Sequence, residues 1–241
     1  MSVLRQMLKS AATLLLPRSV LLTHGAPRSA NGELEIALTF DDGPHPEHTP
    51  RLLDQLAEHH ACGTFFVIGE RAARHPDIVR RIVDEGHELG NHTWSHSEPR
   101  QTTSPQFLAE VDRTRKWLED FTGQPSRWMR PPKGRLSFRK FIGLWQRQQT
   151  IVLWNVDPKD YSLLTDSEPL RKWACGYRPS SGDIVLMHDH HPHAATALPD
   201  LFSRTDLAIR TVTLSQWFAD DQRSPTTAAP RSEALEVIHV R

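Results

Sequence analysis

The sequence predicts an α/β domain, a small or incomplete (β/α) barrel of about seven strands. Three observations predict it. Short apolar runs alternate with amphipathic segments along residues 34–220. The segments between runs are long enough for helical crossovers, which parallel strands require. The unusual polar residues, His, Asp and Arg, fall where the runs end, as they do on the catalytic face of a barrel. A doubly wound open sheet meets the first two observations and is the alternative.

Each element has its own signal. Glu35–Phe40 reads as a strand that stops at the turn Asp41-Asp42-Gly43-Pro44. Thr49–His59 places Leu52, Leu53 and Leu56 at helical spacing. Thr64–Ile68 is β-branched and aromatic and ends at Gly69. Asp77–Asp84 aligns Ile78, Ile82 and Val83 on one helical face, and Gly86 ends it. His87–Gly90 is a short strand. Ser104 caps a helix through Phe121, with Phe107, Leu108, Val111, Trp117 and Leu118 inward. Arg127–Met129 and Thr150–Val156 are strands around a helix at Phe138–Gln148. Asp183–Met187 is a fully apolar, buried-type strand, and Ala208–Leu214 is another strand.

The flanks differ. Residues 1–33 read as an N-terminal accessory segment, 34–220 as one domain and 221–241, rich in Ser, Thr, Pro and Ala, as a loose tail. Arg5 and Lys9 precede a short apolar run, Ala11 to Leu16, that makes a poor export signal. This favours a cytoplasmic or membrane-peripheral location, with weak membrane-surface contact of residues 1–33 and no transmembrane span.

Composition excludes several classes. With 29 Lys+Arg against 29 Asp+Glu, the chain has no basic footprint for nucleic acid. Two cysteines cannot frame a disulfide scaffold, and Cys62 and Cys175 read as core thiols. The 14 histidines are the unusual count, and histidine serves as metal ligand or proton carrier.

Position at strand ends selects among them. His92-Thr93-Trp94-Ser95-His96 brings two imidazoles together on one face of a helical turn. Two His and one carboxylate make a common catalytic metal set, with Asp41 or Asp42 as the third ligand. The other aspartate is then free to take a proton from water whose pKa the metal lowers. Arg130 can pair with that base. The prolines beside it stiffen a backbone suited to offering an N–H to an oxyanion. His188, ending an apolar strand, can act as general acid if a carboxylate such as Asp160 holds it protonated.

These residues lie in five ordered motifs: Thr39-Phe40-Asp41-Asp42-Gly43-Pro44, His92-Thr93-Trp94-Ser95-His96, Arg130-Pro131-Pro132-Lys133-Gly134, Asp157-Pro158-Lys159-Asp160-Tyr161 and Ile184-Val185-Leu186-Met187-His188-Asp189. In this the chain resembles the polysaccharide deacetylase family, carbohydrate esterase family 4, over roughly residues 35–215. The resemblance implies a distorted, incomplete (β/α) barrel and hydrolysis of an N-acetyl group from an acetylated amino-sugar glycan or oligosaccharide. It implies that Asp42, His92 and His96 hold one divalent metal, zinc, with cobalt or nickel as alternatives. Asp41 would be the general base, positioned by Arg130. The backbone N–H of Lys133 would hold the oxyanion. His188 would be the general acid, tuned by Asp160, and Leu186 and Tyr161 would line the pocket for the acetyl methyl.

Two positions depart from the family pattern. Lys133 stands where an aromatic residue is usual, which suits a substrate with negative charge nearby or leaves a solvated lysine. Tyr161 stands where Trp is usual and keeps an apolar wall with a polar tip. O-acetyl ester hydrolysis on an acetylated polysaccharide and a non-catalytic glycan-binding domain are the alternative functions. His190, His191 and His193 follow the last motif, as a solvated loop or as a second, weaker metal locus.

Overall fold

The computed structural model describes residues 16–25, 29–30 and 33–223. In chain order the strands are β1 (Leu21–Leu22), β2 (Ser29–Ala30), β3 (Glu33–Asp41), β4 (Gly63–Val67), β5 (Glu88–Asn91), β6 (Trp128–Met129), β7 (Thr150–Val152), β8 (Ile184–His188) and β9 (Ile209–Thr211). The helices are α1 (His48–Glu58), α2 (Gly69–Arg74), α3 (Pro76–Asp84), α4 (Ser104–Thr122), α5 (Phe138–Gln146), α6 (Glu168–Gly176), α7 (His193–Phe202) and α8 (Leu214–Arg223). Seven strands run parallel in the order β1-β7-β6-β5-β4-β3-β8. β2 adds antiparallel, and β9 parallel, to the first half of β3. Past β7 the chain reaches β8 through a parallel bridge, Val156 to Val185, so the ring closes loosely there. This is the distorted (β/α) barrel; the doubly wound alternative is set aside.

Alternation along the strands separates two environments. Ile36, Leu38 and Phe40 of β3, Phe65 and Val67 of β4, and Val185 and Met187 of β8 join one buried cluster. Leu52, Leu53 and Leu56 of α1, Ile78, Val79 and Ile82 of α3, and Leu198 and Leu201 of α7 complete it. The intervening residues, including Thr39, Asp41, Phe66, Leu186 and His188, face the barrel interior. Register then matters: Asp41 of β3 pairs directly with His188 of β8.

The structure corrects several expectations. Leu21–Leu22 lie in the stretch assigned to an accessory segment, yet Leu21 pairs with Ile151 and Leu22 is buried, so the sheet begins before residue 34. α8 runs three residues past 220, whereas residues 1–15 and 224–241, with the basic start and the tail, lie outside the described residues. Thr103, not Ser104, caps α4, in a reciprocal capping box with Gln106, and Gly123 ends the helix with φ 69°. Thr150–Val156 is a strand only to Val152. Helices α2, α6, α7 and α8 are absent from the sequence reading; α7 contains Pro199, which reads as a breaker. Cys175 is exposed and Cys62 half-buried, its Sγ donating to the Thr211 carbonyl at 3.2 Å, so neither is a core thiol. Among the described residues no helix is long and apolar enough to cross a membrane.

Candidate active site

The end of β3 delivers two carboxylates in different directions. Asp41 continues the interior face, and Asp42 turns away with φ 74°. The turn rests on a residue to which sequence reasoning assigned no role, Asp189. A Cβ on Gly43 would lie 1.9 Å from Asp189 Oδ2, so only glycine admits that approach. The Asp189 N–H donates to the Asp41 carbonyl at 3.2 Å, and Thr49 Oγ1 donates to Asp189 Oδ2 at 2.6 Å. Burial pushes the Asp189 carboxyl up to about 7 against the Thr49 hydrogen bond. Arg71 further ties the turn by donating to the Asp42 carbonyl at 2.7 Å.

His92 and His96 meet, but not on a helix. The segment after β5 is a loop in which Thr93 (φ 67°) and His96 (φ 55°) are left-handed. Asn91 Oδ1 accepts the Thr93 N–H at 2.9 Å, and Thr93 Oγ1 accepts the His96 N–H at 3.2 Å. The rings end 5.0 Å apart. His92 Nδ1 donates to the Arg130 carbonyl at 2.7 Å, which leaves Nε2 as the free lone pair.

Asp42 Oδ1 lies 3.3 Å from both His92 Nε2 and His96 Nε2. Donors about 2.0–2.1 Å from a tetrahedral ion are about 3.3 Å apart, so Asp42 Oδ1 stands at ligand spacing from each imidazole, and all three atoms lie within 4.8 Å of one another. Oδ1 is also buried without a hydrogen-bond partner among the described residues. Burial favours the neutral Asp42 carboxyl, but the neighbouring imidazoles of His92, His96 and His188 hold it below the usual carboxylate range. Burial and the neighbouring His92 lower His96, which suits a neutral ligand. The set fits one divalent metal, with Asp42 as the carboxylate ligand. Asp41 Oδ2 stands 3.7 Å from His92 Nε2, beside the set.

Arg130 follows β6 and crosses the barrel interior, fully buried. Its Nη1 donates to Asp41 Oδ1 and to Thr39 Oγ1, both at 2.8 Å, and Nε donates to the Val152 carbonyl at 3.3 Å. The guanidinium lies 4.2 Å over the Phe66 ring. Arg130 thus occupies one oxygen of Asp41 and leaves the other.

Lys133 sits in a tight turn with φ 56°. The turn's hydrogen bonds come from Gly134 and Arg135, donating to the Pro131 and Pro132 carbonyls, and do not engage the Lys133 N–H. Its ammonium pairs with Glu98, on the loop after His96. That partner answers the charge expected to attract an anionic substrate, and Lys133 is neither solvated alone nor a bare cation.

The loop after β7 brings Asp160, fully buried, against β8. Asp160 Oδ1 accepts from His188 Nδ1 at 2.8 Å, and Oδ2 accepts the His188 backbone N–H at 2.7 Å. Burial works to lower His188, but the hydrogen bond and charge of Asp160, with Asp41 and Asp42 adding, push it up to about 9. Tyr161 meets His188 edge-on at 5.5 Å and is half exposed, while Leu186 is buried two residues before His188 on the same strand face. The following histidines are not a solvated loop: His193 is 1% exposed and its Nδ1 is 2.7 Å from Ser167 Oγ.

All ten residues singled out in the sequence therefore lie on one end of the barrel. A separate cavity of about 600 Å³, lined by Glu88, Trp128, Ser215 and Phe218 among others, opens at the opposite strand ends. Its carboxylate is already satisfied: Glu88 Oε1 accepts from Trp128 Nε1 at 2.6 Å.

Comparison with known proteins agrees with this geometry. A polysaccharide deacetylase family profile matches residues 28–142. A peptidoglycan-N-acetylglucosamine deacetylase of Bacillus cereus is 39% identical over 154 residues, 64% of this chain and 55% of that protein, so the chain spans little more than half of that relative. A chitooligosaccharide deacetylase of Sinorhizobium fredii is 35% identical over 190 residues, 78% of this chain and 85% of its own length. The solved structure of peptidoglycan deacetylase PdaC from Bacillus subtilis superposes with TM-score 0.72 at 30% identity, covering 81% of this chain and 95% of that one. The strand-end residues, the barrel and these relatives place the chain in one family: it belongs to the polysaccharide deacetylases, carbohydrate esterase family 4.

Proposed function

We propose that the chain is a metal-dependent hydrolase that removes N-acetyl groups from an N-acetylglucosamine-containing glycan or saccharide. One observation carries the reading. Asp41 and His188 are paired at the ends of β3 and β8, and Asp41 stands beside the Asp42–His92–His96 set, so a proton acceptor and a proton donor are carried to the same strand ends as the ligand set. A zinc ion held by Asp42, His92 and His96 would supply the Lewis acidity that makes water a nucleophile near neutral pH. Asp41 takes a proton from the attacking water on Oδ2, the oxygen that Arg130 leaves free. The Lys133 N–H holds the developing oxyanion of the acetyl group. His188 Nδ1 is committed to Asp160, so Nε2 delivers its proton to the departing nitrogen as the C–N bond breaks, releasing acetate and an amine. Leu186 and Tyr161 wall the methyl. An amine must be protonated to leave whereas an alcohol needs this less, so a His188 imidazole that stays protonated up to about 9 favours the amide over the O-acetyl reading. A complete set of base, acid and ligands disfavours a non-catalytic glycan-binding role.

The relatives' names nominate peptidoglycan fragments and chitooligosaccharides as first substrates. Acetate release from these and from acetylated xylan, after chelation and reloading with zinc, tests the proposal. Turnover of an amino sugar that chelation abolishes and zinc restores is expected. No turnover on any amino sugar would sink it.

The pH profile tests the acid. His188 must be protonated to act, so activity falls as pH rises through about 9. Asp160→Asn removes the main group that raises His188 while burial still lowers it. The alkaline limb of kcat is expected to move down to about 6.5 or below. An unmoved limb would remove Asp160 from this role. The same raised pKa contributes stability fully present below the unfolded value and lost as pH rises through about 9.

A further inference from the structure

We infer that the chain builds a second, weaker transition-metal site from Asp160, His188 and His191, beside the first, and that its occupation switches the enzyme off. One donor atom from each of these residues lies within 4.8 Å of the others. Two imidazoles and a carboxylate repeat the composition of the first set and suit zinc, cobalt or nickel.

The decisive residue is His191, which the reaction does not use. Its side chain is 15% exposed, and both ring nitrogens are buried without a hydrogen-bond partner among the described residues. A buried imidazole with neither nitrogen paired is unfavourable unless a ligand completes it. Its Nε2 lies 3.8 Å from Asp160 Oδ2. The neighbouring histidines stand apart from this role. His193 is engaged by Ser167, and His190 Nδ1 faces Asp42 Oδ2 at 3.6 Å.

Spacing ranks the two sites. In the first set the carboxylate lies 3.3 Å from each imidazole, the spacing of a bound tetrahedral ion. The second shows 3.8 Å from His191 to Asp160 and 2.8 Å from His188 to Asp160, so donors must shift. An ion there must also replace the proton on His188 Nδ1, which leaves for solvent, and break the hydrogen bond to Asp160. The second site therefore fills only after the first. Once filled, it holds the acid and its partner as ligands, and His188 no longer donates. The inhibitory half of this inference rests on the deacetylase reading; the binding half does not.

The test is a Co2+ titration of the metal-free full chain, followed by visible absorption and by elemental analysis, with acetate release measured in parallel. A second, weaker equivalent is expected, with activity falling as it binds. His191→Leu is expected to keep the first equivalent and the activity at low metal. Its second equivalent should weaken by about tenfold or more, and inhibition should move to higher metal in step. His191→Asn, which keeps a polar side chain, guards against loss of folding and should show the same shift. A single equivalent in the unaltered chain, or a second one unchanged in both variants, overturns the site. Two equivalents falling to one without acetate release in any sample would uphold the site and refute the deacetylase reading.

Discussion

Asp41→Asn is expected to lower kcat by about 10²–10⁴-fold while leaving bound metal unchanged. The substitution keeps shape, and an amide oxygen still accepts from Arg130 Nη1, now 2.8 Å from Oδ1. What it removes is the basic Oδ2, placed 3.7 Å from His92 Nε2. The ligand oxygen belongs to Asp42, so the metal set stays whole. His92→Ala is the paired control, expected to lose both metal and activity. Elemental analysis and initial rates on an acetylated chitooligosaccharide separate the two outcomes. An Asp41→Asn enzyme within about tenfold of the unaltered one would move the base elsewhere.

Arg130→Met is expected to destabilise the fold by about 3–5 kcal/mol, as removal of one partner from a buried ion pair does. The guanidinium is fully buried and bonds Asp41, Thr39 and the Val152 carbonyl. Methionine fills part of the volume but leaves the Asp41 carboxylate in the interior without its cation. Arg130→Lys should recover little, since one ammonium cannot bond β3 and β7 together with a planar fork. Urea unfolding measures the cost as a lower midpoint at constant slope. A loss under about 1 kcal/mol would show that Asp41 finds another partner.

Much of this was readable from residues alone, and the reasons are physical. β3 and β8 are apolar runs closed by a polar residue and β4 is one closed by Gly69, and a strand buried on both faces has few other ways to be written. The metal set was readable because its members occupy strand ends in a fixed order. Its geometry was not: His92 and His96 meet through left-handed residues in a loop, and Thr93, being β-branched, is a residue type that argues against φ above zero. Asp189 was hidden because its task is contact with a glycine, and the signal, a Gly next to two aspartates, reads first as a turn. The Lys133–Glu98 pair joins residues 35 apart in sequence and carries no local pattern. α7 was masked by Pro199, which tertiary packing of Leu198 and Leu201 overrides.

The pairing of Asp41 with His188 has a wider consequence. Neighbouring strands sit about 4.7–4.9 Å apart wherever a sheet forms, so the gap between the proposed proton acceptor and the proposed proton donor is a property of main-chain hydrogen bonding. Single rim side chains such as those of Glu98 and Lys133, which lie off these two strands, can be substituted to admit a different sugar without re-aiming either group. Retargeting by rim side-chain substitution should therefore preserve the proposed chemistry, whereas an insertion of one residue within β3 or β8 would turn its reacting side chain to the wrong face of the sheet and end it.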